Sequence, residues 1–191
     1  MKSTPKVIDS NILNRKSHFS FSQNPVEEEH LLLLFEAARF APSSFNAQPW
    51  RYIYARKNDA DYPKLLNLLA ESNKVWASSA PILILSFAQV FDLKNNRANR
   101  FAFHDLGLST ANLLAQATSL GLATHPMGGY DVERAKEVFR IPEGFEPGAM
   151  IALGYPGDSS TLAEDLQKRN NAPRMRKELS ETVFKGSWKA E

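Results

Sequence analysis

Ala41-Pro42-Ser43-Ser44-Phe45-Asn46-Ala47-Gln48-Pro49-Trp50 lies between an apolar, helix-patterned run and the first strand-like run, and its reading decides how the chain is assembled. Upstream, Leu31, Leu34, Phe35, Ala38 and Ala41 recur at helical spacing, and Leu32 and Leu33 widen the apolar face. This predicts a helix buried on more than one side. Asn24-Pro25-Val26-Glu27 supplies its expected start, with an N-cap, a first-turn proline and a capping-box acid, and Pro42 stops it. Downstream, Trp50, Tyr52 and Tyr54 alternate with Arg51, Ile53 and Ala55, the pattern of a strand over 50–56 with both faces partly covered. In between, Ser43, Ser44, Asn46 and Gln48 gather hydroxyl, amide and backbone groups. That set suits the amide edge of a planar heterocycle, and it equally suits a structural loop in which Asn46 caps locally.

Further along, Leu65 to Ala70 predicts a short helix and Pro81 to Phe87 an internal strand with the proline at its start. Residues 99–120 combine Gly107, Ala111, Ala115 and Ala117 with Leu106, Leu113, Leu114 and Leu120, as in a central helix packed closely on another element or another subunit. Gly121 is placed to end it in the left-handed conformation, with Leu122 folding back. Asp131 is the expected cap of an amphipathic helix reaching Phe139, and Ala149 to Leu153 is a third strand. Helices alternating with few strands indicate an α+β or mixed-sheet sandwich. Near the end, Leu179, Val183, Phe184 and Trp188 follow a polar, basic segment and require a surface to pack on, such as a partner chain.

The 191 residues are 43% hydrophobic, enough to build a core, and one domain over 1–191 is expected. Lys+Arg total 23 against 21 Asp+Glu, a balance unlike that of a general nucleic-acid trap. Cysteine is absent, so disulfides, thiolate nucleophiles and thiolate metal sites are excluded, and redox chemistry would need a bound cofactor. The four histidines form no close pair, so no metal is expected. Apolar runs are far shorter than the roughly 20 residues that cross a bilayer, and a soluble cytoplasmic protein without membrane contact is expected.

Lys168, Arg169, Arg174, Arg176 and Lys177 occupy a ten-residue stretch free of acids. A solvated face and an anion site both fit this run. On an extended segment, Arg174 and Arg176 would point to one side. Arg15-Lys16-Ser17-His18 is a second cationic group near the other end, read either as an ordinary charged loop or as joining the first around one phosphate monoester. Asn73 and Trp76 are read as a cofactor wall or as a cap and a core aromatic. Pro126-Met127-Gly128-Gly129 is read as a close approach for a flat ring or as a plain turn.

Taken together and in order, Arg15-Lys16-Ser17, Ala41 to Trp50, Asn73 through Trp76 to Ala80-Pro81, Gly121 to Thr124 with Pro126 to Tyr130, Gly154-Tyr155-Pro156, and Arg174 with Arg176 resemble the nitroreductase family. The resemblance spans Ile12 to Trp188. It implies a three-layer sandwich with a central, mainly antiparallel sheet flanked by helices. It also implies an intertwined homodimer with C-terminal strand exchange and two noncovalent FMN sites at the subunit interface. By this resemblance Arg15, Ser17, Arg174 and Arg176 contact the phosphate, and Lys16 lies beside the flavin. Ser43, Ser44 and Asn46 approach from the other subunit, Asn73 addresses the polar ring edge, and Pro126, Gly128 and Gly129 lie near the flavin N5 region. One position departs from the pattern: Phe19 stands where the family commonly has a lysine or arginine, which puts redox potential and substrate preference in question.

The implied reaction is a ping-pong transfer of hydride from NADH or NADPH through FMN to a small planar acceptor, a nitroaromatic or a quinone, with no catalytic side-chain base. Activated alkenes or free flavin are the alternative acceptors, and a weakly active flavin-binding redox sensor is the alternative class. A nucleic-acid module would use the 168–177 run but lacks an aromatic platform. The polar, asparagine-rich connection Asp92 to Arg100 is read either as a border of the substrate pocket, near where family members vary their substrate-facing insertions, or as a surface loop.

Overall fold

The computed structural model describes residues 8–188. The elements are α1 (Ser10–Asn14), α2 (Glu28–Arg39), β1 (Trp50–Arg56), α3 (Tyr62–Leu66), α4 (Glu71–Ala77), β2 (Ile82–Gln89), β3 (Phe91–Asp92), β4 (Arg97–Ala98), α5 (Ala102–Ser119), β5 (Ala123–Met127), α6 (Val132–Phe139), β6 (Phe145–Gly154) and α7 (Glu164–Asn171). Four strands form a sheet in the order β1-β2-β6-β5, and every pairing in it is antiparallel. Alternation along the strands assigns the two faces. Leu83, Leu85, Phe87, Met150 and Ala152 pack with Leu65 of α3, Trp76 of α4 and Ala135 of α6, whereas Ile82, Ile84, Ile151 and Leu153 pack with Leu31 and Leu34 of α2 and Leu113 of α5. The result is the three-layer α+β sandwich expected from the sequence.

The predicted strand over 50–56 forms at those residues. Helix α2 begins later than the sequence suggested. Glu27 is its N-cap and the Asn24 amide bonds Ser22 Oγ at 3.0 Å instead. Val26 and Leu31 are both buried in one cluster, so an apolar pair bracketing the first turn fixes the start where the Asn-Pro signal did not. Leu32 and Leu33, expected in a broad buried face, are exposed in this chain. The helix expected over Leu65–Ala70 is displaced to Tyr62–Leu66, where Pro63 sits in the first turn, and α4 follows as a separate helix. Strand β5 occupies the stretch read as leading to a turn. Pro126 obscures it in the sequence but is tolerated because β5 is an edge strand. Helix α5 ends as predicted: Gly121 has φ +70°, its amide bonds Thr118 O at 3.1 Å, and the Leu122 amide reaches back to Ala117 O at 2.8 Å.

Residues 15–22 pair with the open edge of β5 at Ser17 and His18 and then with residues 155–157 beyond β6. Ser17 bridges Thr124 in parallel, the His18 amide donates to Thr124 O at 3.2 Å, and His125 Nδ1 donates to His18 O at 2.8 Å. Trp76 and His125 stack with centroids 4.3 Å apart, and Phe19 packs edge-on against both, with centroids 5.0 and 4.6 Å away. No helix among the described residues is long and apolar enough to cross a membrane. The segment after α7 forms no strand among the described residues and leaves Met175, Leu179, Val183 and Trp188 exposed.

Two outcomes follow from this packing. Asp131 accepts from the Arg134 amide at 3.0 Å as the cap of α6, so Asp131→Ala lowers stability by about 1 kcal/mol and the melting temperature by about 2–4 °C in a thermal melt. Burial first, then repulsion from Lys16, His125 and Arg15, pushes His18 down from 6.5 to about 4, and burial lowers His125 as well. Below pH 6.5 the unfolded chain gains protons that the folded chain refuses, so stability declines as pH falls from 6.5 toward about 4. The slope of melting temperature against pH is shallower in His18→Gln, and an identical slope would show that His18 is not its source.

Candidate functional site

The two cationic groups at opposite ends of the sequence meet in one chain. The Arg174 guanidinium donates to the carbonyls of Leu13 at 2.6 Å and Ile12 at 3.4 Å, and also to that of Arg15. These are the unpaired acceptors at the end of α1, so the contact closes a helix terminus and places Arg174 beside Arg15. Lys16 Nζ donates to Asn170 O at 3.4 Å, and the Phe19 amide donates to Asn170 Oδ1 at 3.2 Å, joining the end of α7 to the same strand-like segment. Arg176 hydrogen-bonds only to the adjacent Met175 carbonyl among the described residues, and its charge reaches Arg15.

No carboxylate among the described residues lies within 4.0 Å of Arg15, Lys16, Arg174 or Arg176. Burial, followed by repulsion from Arg174 and Arg176, holds the Arg15 guanidinium below its ordinary range. A cluster of cations that repel one another and lack acids is matched to a dianion such as a phosphate monoester, which would relieve that repulsion through charge-assisted hydrogen bonds.

Beyond Met127, β5 leads into Gly128 and Gly129. A side chain at Gly128 would meet nothing within 4 Å, so its backbone is open to a flat group, whereas one at Gly129 would come within 2.7 Å of Asn73 Nδ2. Asn73 is therefore neither a helix cap nor idle. Its amide donates to Gly129 O at 3.0 Å, and Ala70 N donates to the same carbonyl at 3.0 Å. Pro126 pairs with Ile151 in the sheet, just before this open backbone.

The loop between α2 and β1 lies elsewhere. Ser44 starts a short 3-10 turn, and its amide donates to Asp105 Oδ2 at 3.0 Å in the first turn of α5. Ser43 Oγ accepts from the Gln48 amide, and Phe45, Asn46 and Gln48 all have positive φ, unusual for residues with side chains. Phe45 is 93% exposed. Ser17, by contrast, pairs with Thr124, beyond the other end of α5, an 18-residue helix about 27 Å long. Among the described residues no hydrogen bond links Ser43, Ser44 or Asn46 to the cationic cluster in the same chain.

Two features were hidden in the sequence, and a third was left between two readings. Asp105, 2% exposed, anchors the loop while also contacting His104 Nδ1. Arg169 lies over the Phe19 ring at 4.6 Å, so a cation stands against the residue that departs from the family pattern. The Asp92–Arg100 segment folds into the β3–β4 hairpin and walls a cavity of about 430 Å³ together with Ser44 and Phe45.

An uncharacterised 15.4 kDa protein from Mycolicibacterium smegmatis is 38% identical over 130 residues, 68% of this chain and 86% of its own length. An NADH dehydrogenase from Thermus thermophilus is 26% identical over 193 residues, covering 83% of this chain and 92% of its own. A solved structure described as an oxidoreductase containing FMN superposes with a TM-score of 0.93 at 33% identity, over 99% of this chain and 96% of that one. The model of the Nitroreductase family matches residues 12–78 and 71–155, so the open backbone after β5 and the loop before β1 both fall inside the matched span, and the chain belongs to that family.

Proposed function

We propose that the protein is a cytoplasmic, FMN-dependent oxidoreductase that moves a hydride from NADH or NADPH to a nitroaromatic or quinone acceptor and works as a homodimer. The observation that supports this most is the acid-free meeting of Arg15, Lys16, Arg174 and Arg176, whose charge suits the FMN phosphate. Support also comes from the FMN-containing relative of known structure and from the NADH dehydrogenase relative.

The residues present fit the cofactor at both ends. Arg15, Ser17, Arg174 and Arg176 would hold the phosphate, with Lys16 beside the flavin. Gly128 offers an unobstructed backbone for the ring, Pro126 and Gly129 border it, and Asn73 is held by Gly129 O at the expected polar edge. Bound FMN would supply the hydride-transfer chemistry between a nicotinamide donor and the acceptor. The protein contributes alignment, exclusion of water and positive charge, and no side-chain base is required. Arg169, over Phe19, brings a cation close to the position where Phe19 replaces one.

A second copy of the chain is needed to complete this arrangement. Ser43, Ser44 and Asn46 sit toward the end of α5 remote from Ser17, so they serve a flavin held by the partner. The outer face of α5 carries Gly107 and Ala111 in exposed positions four residues apart, which permits close approach of another helix, and the exposed Met175, Leu179, Val183 and Trp188 give the C-terminal segment an apolar side to lay across that copy.

The test compares FMN with riboflavin, which lacks the phosphate. The wild-type protein binds FMN at least about tenfold more tightly than riboflavin, and Arg15→Gln with Arg176→Gln narrows that gap. FMN-loaded protein then oxidises NADH or NADPH over many cycles with a quinone. Equal affinity for the two flavins would overturn the phosphate assignment, and a single reduction without turnover would point to the sensor reading.

A further inference from the structure

The cavity between the Ser43–Gln48 loop and the β3–β4 hairpin is separate from the cationic cluster. Its walls are apolar at Phe45, Phe101 and Pro49, and two guanidiniums stand at its rim. Arg97 lies over the Phe45 ring at 5.9 Å and Arg100 over the Phe101 ring at 4.6 Å. Each ring fixes a cation while leaving guanidinium N–H groups free. No carboxylate among the described residues lies within 4.0 Å of either arginine.

The lining holds one acid, Asp92, and its oxygens are already engaged by the amides of Lys94 at 3.0 Å and Asn95 at 3.4 Å and by Asn95 Nδ2 at 2.5 Å. These bonds shape the hairpin turn and hold Asp92 below its ordinary range, with Asn95 the main cause. Two arginines against one internally satisfied carboxylate leave a net positive wall beside phenyl rings. Phe45 is kept almost fully exposed at φ +52°, a conformation that is costly for an aromatic residue and that puts its ring in the cavity wall. The volume of about 430 Å³ suits a substituted aromatic ring rather than a bare inorganic anion.

Resting on the functional reading above, we propose that this cavity selects planar acceptors that bear an anionic group, such as an aromatic carboxylate, with Arg97 and Arg100 binding the anion and Phe45 and Phe101 flanking the ring. Arg97 and Arg100 are specificity-determining residues in this assignment. The anion docks at the hairpin and the reducible substituent extends toward the loop expected to face the partner's flavin.

The experiment measures binding of benzoate and its neutral counterpart benzamide to the purified, FMN-loaded protein by calorimetry. Neither probe need be reduced, so the result does not depend on turnover. The wild type prefers benzoate by about tenfold, and Arg97→Gln with Arg100→Gln abolishes the preference, while the paired lysine substitutions restore part of it. Both positions are exposed, so folding is checked simply by flavin content and melting temperature. Equal binding of the two probes by the wild type, or a preference that survives in the glutamine double variant, overturns the assignment. Loss of NADPH-over-NADH preference in the double variant with benzoate selectivity intact also overturns it, since the arginines would then serve the donor's extra phosphate. Failure to oxidise NADH or NADPH with any acceptor would instead sink the functional reading and would be recorded separately from probe binding.

Discussion

The contact between the Arg174 guanidinium and the carbonyls ending α1 joins residues 159 to 162 positions apart, and the proposed site depends on it. It satisfies acceptors that a short helix cannot pair internally, while setting a second cation beside Arg15. The fold can sustain that repulsion because the neighbouring chain is held independently. The 15–22 segment is tied by backbone bonds to Thr124 of β5 and to residues 155–157 after β6, Phe19 is packed among aromatics, and Asn170 ties α7 to the Phe19 amide. A fixed frame and charges of one sign together underlie the proposed anion receptor, built from residues that are individually ordinary.

The same frame separates functions along α5. Its first turn anchors Ser44 through buried Asp105, and its far end returns through Gly121 and Leu122 into the edge strand that borders the cationic group. One chain therefore presents the proposed phosphate-binding half and, remote from it, a polar loop with an exposed phenyl ring. Two chains related by symmetry would bring each half against its complement, an isologous arrangement in which the same surface is used twice. The exposed Leu32, Leu33 and C-terminal apolar residues, costly on a monomer, are what such an arrangement would cover.

Much of the architecture was legible because local and tertiary preferences agreed. Alternation found β1, the capping carboxylate of Asp131 found α6, and Gly121 found the end of α5. The failures have physical causes. Pro126 breaks the strand pattern of β5, and only the strand's place at the sheet edge makes it permissible. Strands β3 and β4 have two residues each, too few for periodicity, and are held by the Asp92 turn bonds. The start of α2 goes with the burial of Val26 and Leu31 in one cluster rather than with the nearer Asn-Pro signal. For the site, residue types and order exposed the cationic groups and glycines, while Arg169 over Phe19, the role of Asp105 and the cavity under the hairpin emerge only from tertiary contact.

The central claim is that cations from both ends of the chain form a phosphate receptor completed by a second chain. Native mass spectrometry of the purified protein tests it most directly, because it reads chain number and bound flavin in one particle. The account predicts a species of two 21.4 kDa chains carrying two FMN molecules. A monomer that excludes FMN, or one that retains it as firmly as the dimer does, would contradict it.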